Sequence, residues 1–329
     1  MPYYVKSDPR FLEFLRQIRL PIDSLDDLTR LDSKSLALFS DYSLNNKKYE
    51  VYGYFLTDYN HSGNLVSMLR KVKEKHKILE REIKYERRKD GMRRKAFPDW
   101  INVVRNYPGL VYMMAYDKRI DGLLYSNEAT LNLKRELRAI GLNDKPDIYK
   151  RMVRAVSFIA LIAPYIKPKH KLVWIGDEDD MLDTETRQEV LVNAFGFLAD
   201  ESFDVRPSAL GIGTKVSEPG GEEINRAFKE ILSIPDMAAG SFAAALQYDS
   251  DIRFVCPDGA AIEIIQEFSK FRPIEDFDVK KSPCCAIGSL VFDITHTDQG
   301  EPYCLPRTMQ VIFDPDNDPL IEACQQDGP

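Results

Sequence analysis

The chain has 329 residues, 44% of them hydrophobic and 29% charged, enough to build one large α/β domain or two small ones around an ordinary core. No signal peptide is read at the N-terminus. The most apolar run, Ala155 to Tyr165, is far shorter than the ~20 residues of a membrane span, so no membrane association is expected. Five cysteines, an odd number in a long chain, fit reduced thiols and a cytoplasmic protein. The net charge of −7 hides an asymmetry. Between Arg70 and Lys95 thirteen Lys and Arg stand against five Asp and Glu, whereas from Asp251 onward fifteen acidic residues stand against six basic ones. The basic band is a candidate phosphate-backbone footprint, although a solvated helix face explains such a run equally simply.

In chain order, the first thirty-three residues read as a helical lead, with helices over Pro9 to Arg19 and Leu25 to Leu31. Leu36 to Phe39 alternates apolar side chains on both faces and runs into Asp41, so it reads as a buried strand with an acid at its exit. A second strand spans 49–57. Leu65, Met68, Leu69 and Val72 recur at helical spacing and predict an amphipathic helix. Residues 78–86 predict a charged third strand, and Arg87 to Lys95 lead into a helix that stops near Asn106-Tyr107-Pro108-Gly109. A fourth strand is expected over 110–116, then helices over 128–140 and 146–166. The next strand, 171–175, runs into the acidic turn Asp177 to Asp180, followed by a helix over 184–199 and a strand over 205–215. A loop over 217–222, a helix over 225–232 and a separate helix opened by Pro235 complete this part. Beyond a boundary near 250, short strand-like pieces (252–256, 289–294, 309–313) alternate with turns, as in a β-rich appendix.

Several strands therefore end at or beside an acidic residue, and Asp236 lies on a late helix. Asp41, Glu82, Asp177 and Asp236 form the candidate site. Paired divalent cations about 4 Å apart need several carboxylate oxygens to hold them, with room left for phosphate and water. Each member also has a plain structural explanation: solvent at a strand end for Asp41, the dipole of a helix N-terminus for Asp236, pairing with Arg81 or Lys84 for Glu82, and a surface turn for Asp177, beside which Glu178, Asp179 and Asp180 are equally acidic candidates. The joint pattern is more specific than any part of it.

The pattern resembles the ribonuclease H-like proteins grouped as domain of unknown function 3800. That family has a strand ending in Asp-Glu-Ser-Gly, a hydrophobic strand, a Glu-hydrophobic-Lys element, a strand ending in Asp, and a Ser ahead of an Asp-hydrophobic-hydrophobic-Ala-Gly helix. The matching residues are Asp41-Tyr42-Ser43, the strand Val51 to Leu56, Glu82-Ile83-Lys84, Trp174-Ile175-Gly176-Asp177, and Ser233 with Asp236 to Gly240. Tyr42 stands where the family has Glu and Leu44 where it has Gly. The resemblance covers residues 34 to 250. It implies an α/β fold, a ribonuclease H-like mixed sheet flanked by helices, carrying Mg2+ or Mn2+ on Asp41, Glu82, Asp177 and Asp236. Lys84 would then be a phosphate contact.

The expectation is a metal-dependent nuclease or phosphodiesterase acting on RNA or DNA, with Lys84, Arg87, Arg88, Lys89, Arg93 and Arg94 holding the nucleic acid. The alternative is a catalytically silent module on the same fold, binding nucleic acid or protein. Its acidic C-terminal region, 251–329, would then dock a basic partner or mask the basic band. Cys284-Cys285 and the scattered Cys256, Cys304 and Cys324 lack the paired spacing of a zinc site, and Gly211-Ile212-Gly213 is no phosphate loop.

Overall fold

A computed structural model describes residues 20, 22–29, 34–43, 46–120, 146–177, 184, 187–189, 209–213, 221–250, 258–274, 285–296 and 302–308. The expected helices over 9–19 and 128–140, the loop over 217–222 except for its last two residues, most of the helix over 184–199, and the strands over 252–256 and 309–313 lie outside the described residues.

Helix α1 (Leu25–Thr29) precedes strands β1 (Ser35–Ser43) and β2 (Tyr49–Asp58), which pair antiparallel. Helix α2 (Ser62–Lys75), a single 3-10 turn at Tyr85–Arg87 and helix α3 (Gly91–Arg105) lead to β3 (Gly109–Asp117), antiparallel to β2. Helix α4 (Pro146–Ile162) leads to β4 (Lys171–Gly176), which lies parallel to β1, and β5 (Ala209–Gly213) lies parallel to β4. Helix α5 (Gly221–Ser250) and helix α6 (Gly259–Ser269) precede β6 (Arg272–Pro273), β7 (Cys285–His296) and β8 (Pro302–Thr308). Among the described residues these form one mixed α/β sheet in the order β5-β4-β1-β2-β3-β7, with β6 and β8 on the far side of β7.

The period-two reading of β1 holds on both faces. Leu36 and Leu38 join Tyr54, Tyr112, Phe158 and α1 in one core layer. Ala37 and Phe39 join the other, which lies under α2, α3, α5 and α6. In the first layer Tyr54 stacks on Phe158 with centroids 4.3 Å apart and donates its hydroxyl to the Ala155 carbonyl at 2.9 Å. Asp26 fastens α1 to the entry of β4 through Lys167, Lys169 and the buried His170. Burial would raise its pKa, but these donors outweigh it and bring the carboxyl down to about 2. Among the described residues no helix is long and apolar enough to cross a membrane.

Three expectations are corrected. Residues 78–86 are not a strand: α2 ends in a Schellman turn, with Lys77 at φ 57° and Ile78 N–H donating to the Lys73 carbonyl at 2.8 Å. Ile78 is thereby tucked into the core, and Glu82 to Lys84 form a short irregular run, extended at Lys84, before the 3-10 turn. Second, Pro235 opens no new helix but lies inside the thirty-residue α5. A proline in a helix interior costs about 3 kcal/mol, which burial of Ile231, Ile234, Met237, Ala238 and Ala239 against the sheet offsets. Third, among the described residues beyond 250, β6, β7 and β8 form no separate β-rich appendix but extend the same sheet, because β7 pairs in parallel with β3 from Gly109–Cys285 to Tyr116–Phe292.

The seating of α5 on the sheet depends on Gly53. A Cβ there would lie 2.3 Å from the Pro235 carbonyl oxygen, a backbone atom that no rotamer change relieves. Gly53→Ala is therefore expected to destabilise the fold by about 1–3 kcal/mol, the usual range for overpacking, in urea or thermal unfolding. Gly63→Ala, in helix α2 with nothing within 4 Å of the added carbon, serves as the control and is expected to leave stability unchanged or slightly higher.

Candidate functional site

The register of the sheet brings two of the four acids side by side. The last paired residues of the parallel strands β1 and β4 are Ser40 and Gly176, and Asp41 and Asp177 follow them directly. Counting by two from Ala37 and Phe39, and from Val173 and Ile175, both acids fall on the sheet face that α5 covers. Asp41 stands opposite Gly53 on β2, and Gly53 lies beneath Pro235, so the same close approach sets Asp236 over the strand ends.

Glu82 and Lys84 reach this place from the segment ahead of the 3-10 turn. That segment is anchored at both ends. The Glu82 carbonyl accepts from Arg93 Nε at 2.7 Å, and the Tyr85 N–H donates to Asp236 Oδ2 at 2.6 Å. The Tyr85 ring is pressed against Gly240, where an added Cβ would come 2.1 Å from a ring carbon. The small-residue helix after Asp236 thus has a definite purpose: it admits Tyr85, and Tyr85 orients Asp236.

Lys84 is the common neighbour of the acids. Its Nζ lies 3.5 Å from Asp177 Oδ2 and 3.7 Å from Glu82 Oε2, and Glu82 Oε1 lies 3.8 Å from Lys229 Nζ. Burial alone would lower the Lys84 pKa. The fields of Asp177, Glu82, Asp236 and Asp41, in that order, outweigh it and hold the ammonium above its ordinary value. Asp236 is pushed up to about 6, chiefly by desolvation and further by Asp177 and Glu86, against the Tyr85 N–H and Lys84, which favour its charged form. Asp41 accepts its neighbour's Tyr42 N–H at 2.7 Å.

The four acids predicted from sequence are therefore brought into one electrostatic centre, on a different local scaffold for Glu82 and Asp236 than expected. Asp236 is fifteen residues into α5, so the N-terminal dipole does not explain it. Glu178, Asp179 and Asp180 lie outside the described residues; Asp177, the described member of that run, meets Lys84. Carboxylate oxygens are the donors a hard divalent cation takes, and two of the four carboxylates stand on adjacent strand ends. In this arrangement the cation among them is Lys84, and among the described residues no three Asp, Glu, His or Cys side chains are grouped so as to hold a metal ion.

The basic band is mostly committed to partners. Arg88 forks onto Asp258, with Nη2 to Oδ2 at 2.7 Å and Nε to Oδ1 at 3.3 Å, and its guanidinium lies over the Tyr85 ring at 4.5 Å. Lys89 also reaches Asp258, Arg93 pairs with Asp90, Arg94 with Glu263, and Arg87 with Glu86. Asp258 and Glu263 thus turn part of the acidic C-terminal region against the basic band. Lys73, 2% exposed, is buried against Glu230. Sequence reasoning missed Lys229, Glu230 and the seat of Tyr85. The one available signal was Gly240 inside a helix, since a mid-helix glycine marks a close approach.

Comparison of the chain with protein-family models, curated proteins and solved structures finds no match.

The Asp236 carboxyl has a measurable signature. Its folded pKa of about 6 stands above the unfolded 3.8, so the folded state binds the proton more tightly. Its contribution thus makes the protein more stable as pH falls from about 6 toward 4 and is constant below that. Asp26 acts with the opposite sign and in a lower window, losing its contribution as pH falls from about 4 through about 2. Asp236→Asn, which keeps an acceptor for Tyr85, is expected to raise stability at pH 7 by about 1–3 kcal/mol. It should also flatten the pH 4–6 slope, read by urea unfolding across that range.

Proposed function

We propose that the chain is a ribonuclease H-like domain acting as a divalent-metal-dependent nuclease or phosphodiesterase. One observation carries the reading: Asp41, Glu82, Asp177 and Asp236, from β1, the segment after α2, the end of β4 and α5, direct their fields onto a single cation position. The strand arrangement supports it too. An antiparallel trio, β1-β2-β3, is extended on the β1 side by parallel β4 and β5, with the first acid, Asp41, two residues before the end of β1.

Asp41, Glu82, Asp177 and Asp236 would hold Mg2+ or Mn2+ in exchange for the Lys84 ammonium. When bound, such an ion polarises a phosphoryl oxygen and lowers the pKa of its water. The chain's own part is to keep the acids charged and clustered. Carboxylates about 4 Å apart repel by ~1–4 kcal/mol per pair at dielectrics of 80 to 20, and at Asp236 the fields of Asp177 and Glu86 add a smaller share to the desolvation that raises its pKa. Lys84, released from Asp177 and Glu82, would then be free to meet a phosphate oxygen.

A second reading rests on a specific observation, the ammonium standing where an ion would be. In it Lys84 neutralises the acids permanently, and the fold serves as a catalytically silent binding module. Thermal unfolding with and without Mn2+ separates the two. At about 100 times its dissociation constant a ligand adds ~2.7 kcal/mol, so Mn2+ is expected to raise the Tm of the native chain but not of Asp41→Asn. A flat response in the native chain favours the silent module. Metal-dependent cleavage of RNA and DNA, lost in Asp41→Asn, is the accompanying activity test.

A further inference from the structure

The segment Glu82-Ile83-Lys84 separates two depressions of opposite character. On the Glu82 side, between α2 and the first half of α5, lies an open groove of about 860 Å3. Glu74, Glu80, Glu82, Glu222, Glu223 and Glu230 line it against four Lys and Arg, a net negative wall. A phosphate backbone laid there would be repelled. On the Lys84 side lies a pocket of about 110 Å3 between this segment, α3 and α6. Its cationic members are Lys84, Arg88, Arg93 and Arg94, against Glu263 and Glu267, and its walls include Ile83, Phe97, Met237 and Ile264. Lys84 and Met237, the neighbour of Asp236, connect it directly to the carboxylate centre.

On the phosphodiester reading above, we infer that this pocket is the subsite for one unpaired nucleotide, and that the substrate class is single-stranded nucleic acid. The volume is that of one ring system, not of a duplex groove. The apolar walls suit the face of a base, and the cations at the rim suit its phosphate. The rim is held in place before any ligand arrives. Asp258 and the Tyr85 carbonyl take three hydrogen bonds from Arg88. A guanidinium has five N–H donors, so capacity for an anion remains. A base inside a duplex is stacked and paired, and must leave the helix to enter a pocket of this size.

The test is carried out in EDTA, so that it does not depend on metal. Fluorescence anisotropy compares a labelled single-stranded oligonucleotide with its duplex on the full chain, and NMR follows the Met237 methyl with added 5′-AMP or inorganic phosphate. The single strand is expected to bind at least tenfold more tightly than the duplex, and 5′-AMP to shift Met237 saturably where phosphate alone does not. Ala260→Leu, which fills the pocket, should weaken single-strand binding at least tenfold. Arg93→Gln should weaken it and reduce its salt dependence. The melting temperature of each variant shows that it is folded, and Glu223→Gln in the opposite groove should not weaken binding. Equal or tighter duplex binding, no saturable 5′-AMP response, or binding indifferent to both pocket variants overturns the inference. A failure here beside a positive Mn2+ response removes the subsite and leaves the metal site. Single-strand binding without a Mn2+ response keeps the subsite and removes the chemistry.

Discussion

The contact of α5 with β2 at Gly53 is the constraint from which the centre follows. Backbone meets side-chain-free backbone there, so the helix lies closer to the sheet than any other residue at that position would allow. That depth carries Asp236 down to the strand ends, where the register has already set Asp41 beside Asp177. It also gives Tyr85 a seat at Gly240, and through the Tyr85 N–H it ties the Glu82 to Lys84 segment to the same helix. A proline inside α5, unfavourable for the helix by itself, is tolerated because the sheet holds both sides of it.

Charge then organises what packing has assembled. Four carboxylates near one another in a partly desolvated place are unstable unless a cation stands among them. The chain supplies Lys84, with Lys229 behind Glu82. The same logic governs the periphery. Asp258 caps α6 through the Ala261 N–H while receiving Arg88 and Lys89, so a single acid both begins that helix and fastens it to the basic band. What resembles a nucleic-acid footprint in a charge count is, to a large extent, the internal cement between α3, α6 and the 3-10 turn. Exposed ion pairs of this kind contribute little each, and their value lies in fixing where the guanidinium groups stand.

The C-terminal segment illustrates how composition and architecture part company. Its acidic, turn-rich texture reads as a separate unit. Yet Cys285 to Phe292 is apolar enough to be buried on both faces, and β3 offers an open edge of its own. A parallel partner recruited from 176 residues away, Cys285 beside Gly109, leaves no local trace, because crossover connections of any length satisfy the same hydrogen bonds.

By itself the sequence determined the strands around Asp41 and Asp177, the two buried faces of β1, and the choice of four acids with a lysine two residues from one of them. Those features are local: alternation and residue type are written along the chain, and both survive in the folded state. Tertiary structure alone decided that residues 78–86 turn instead of pairing, since a helix cap and the burial of Ile78 outweighed their strand-like pattern. It alone decided that α5 runs unbroken through Pro235, that β7 joins β3, and that Lys84 stands among the acids. Each of these depends on what lies across a gap in space between residues far apart in the chain, and no spacing along the chain encodes that distance.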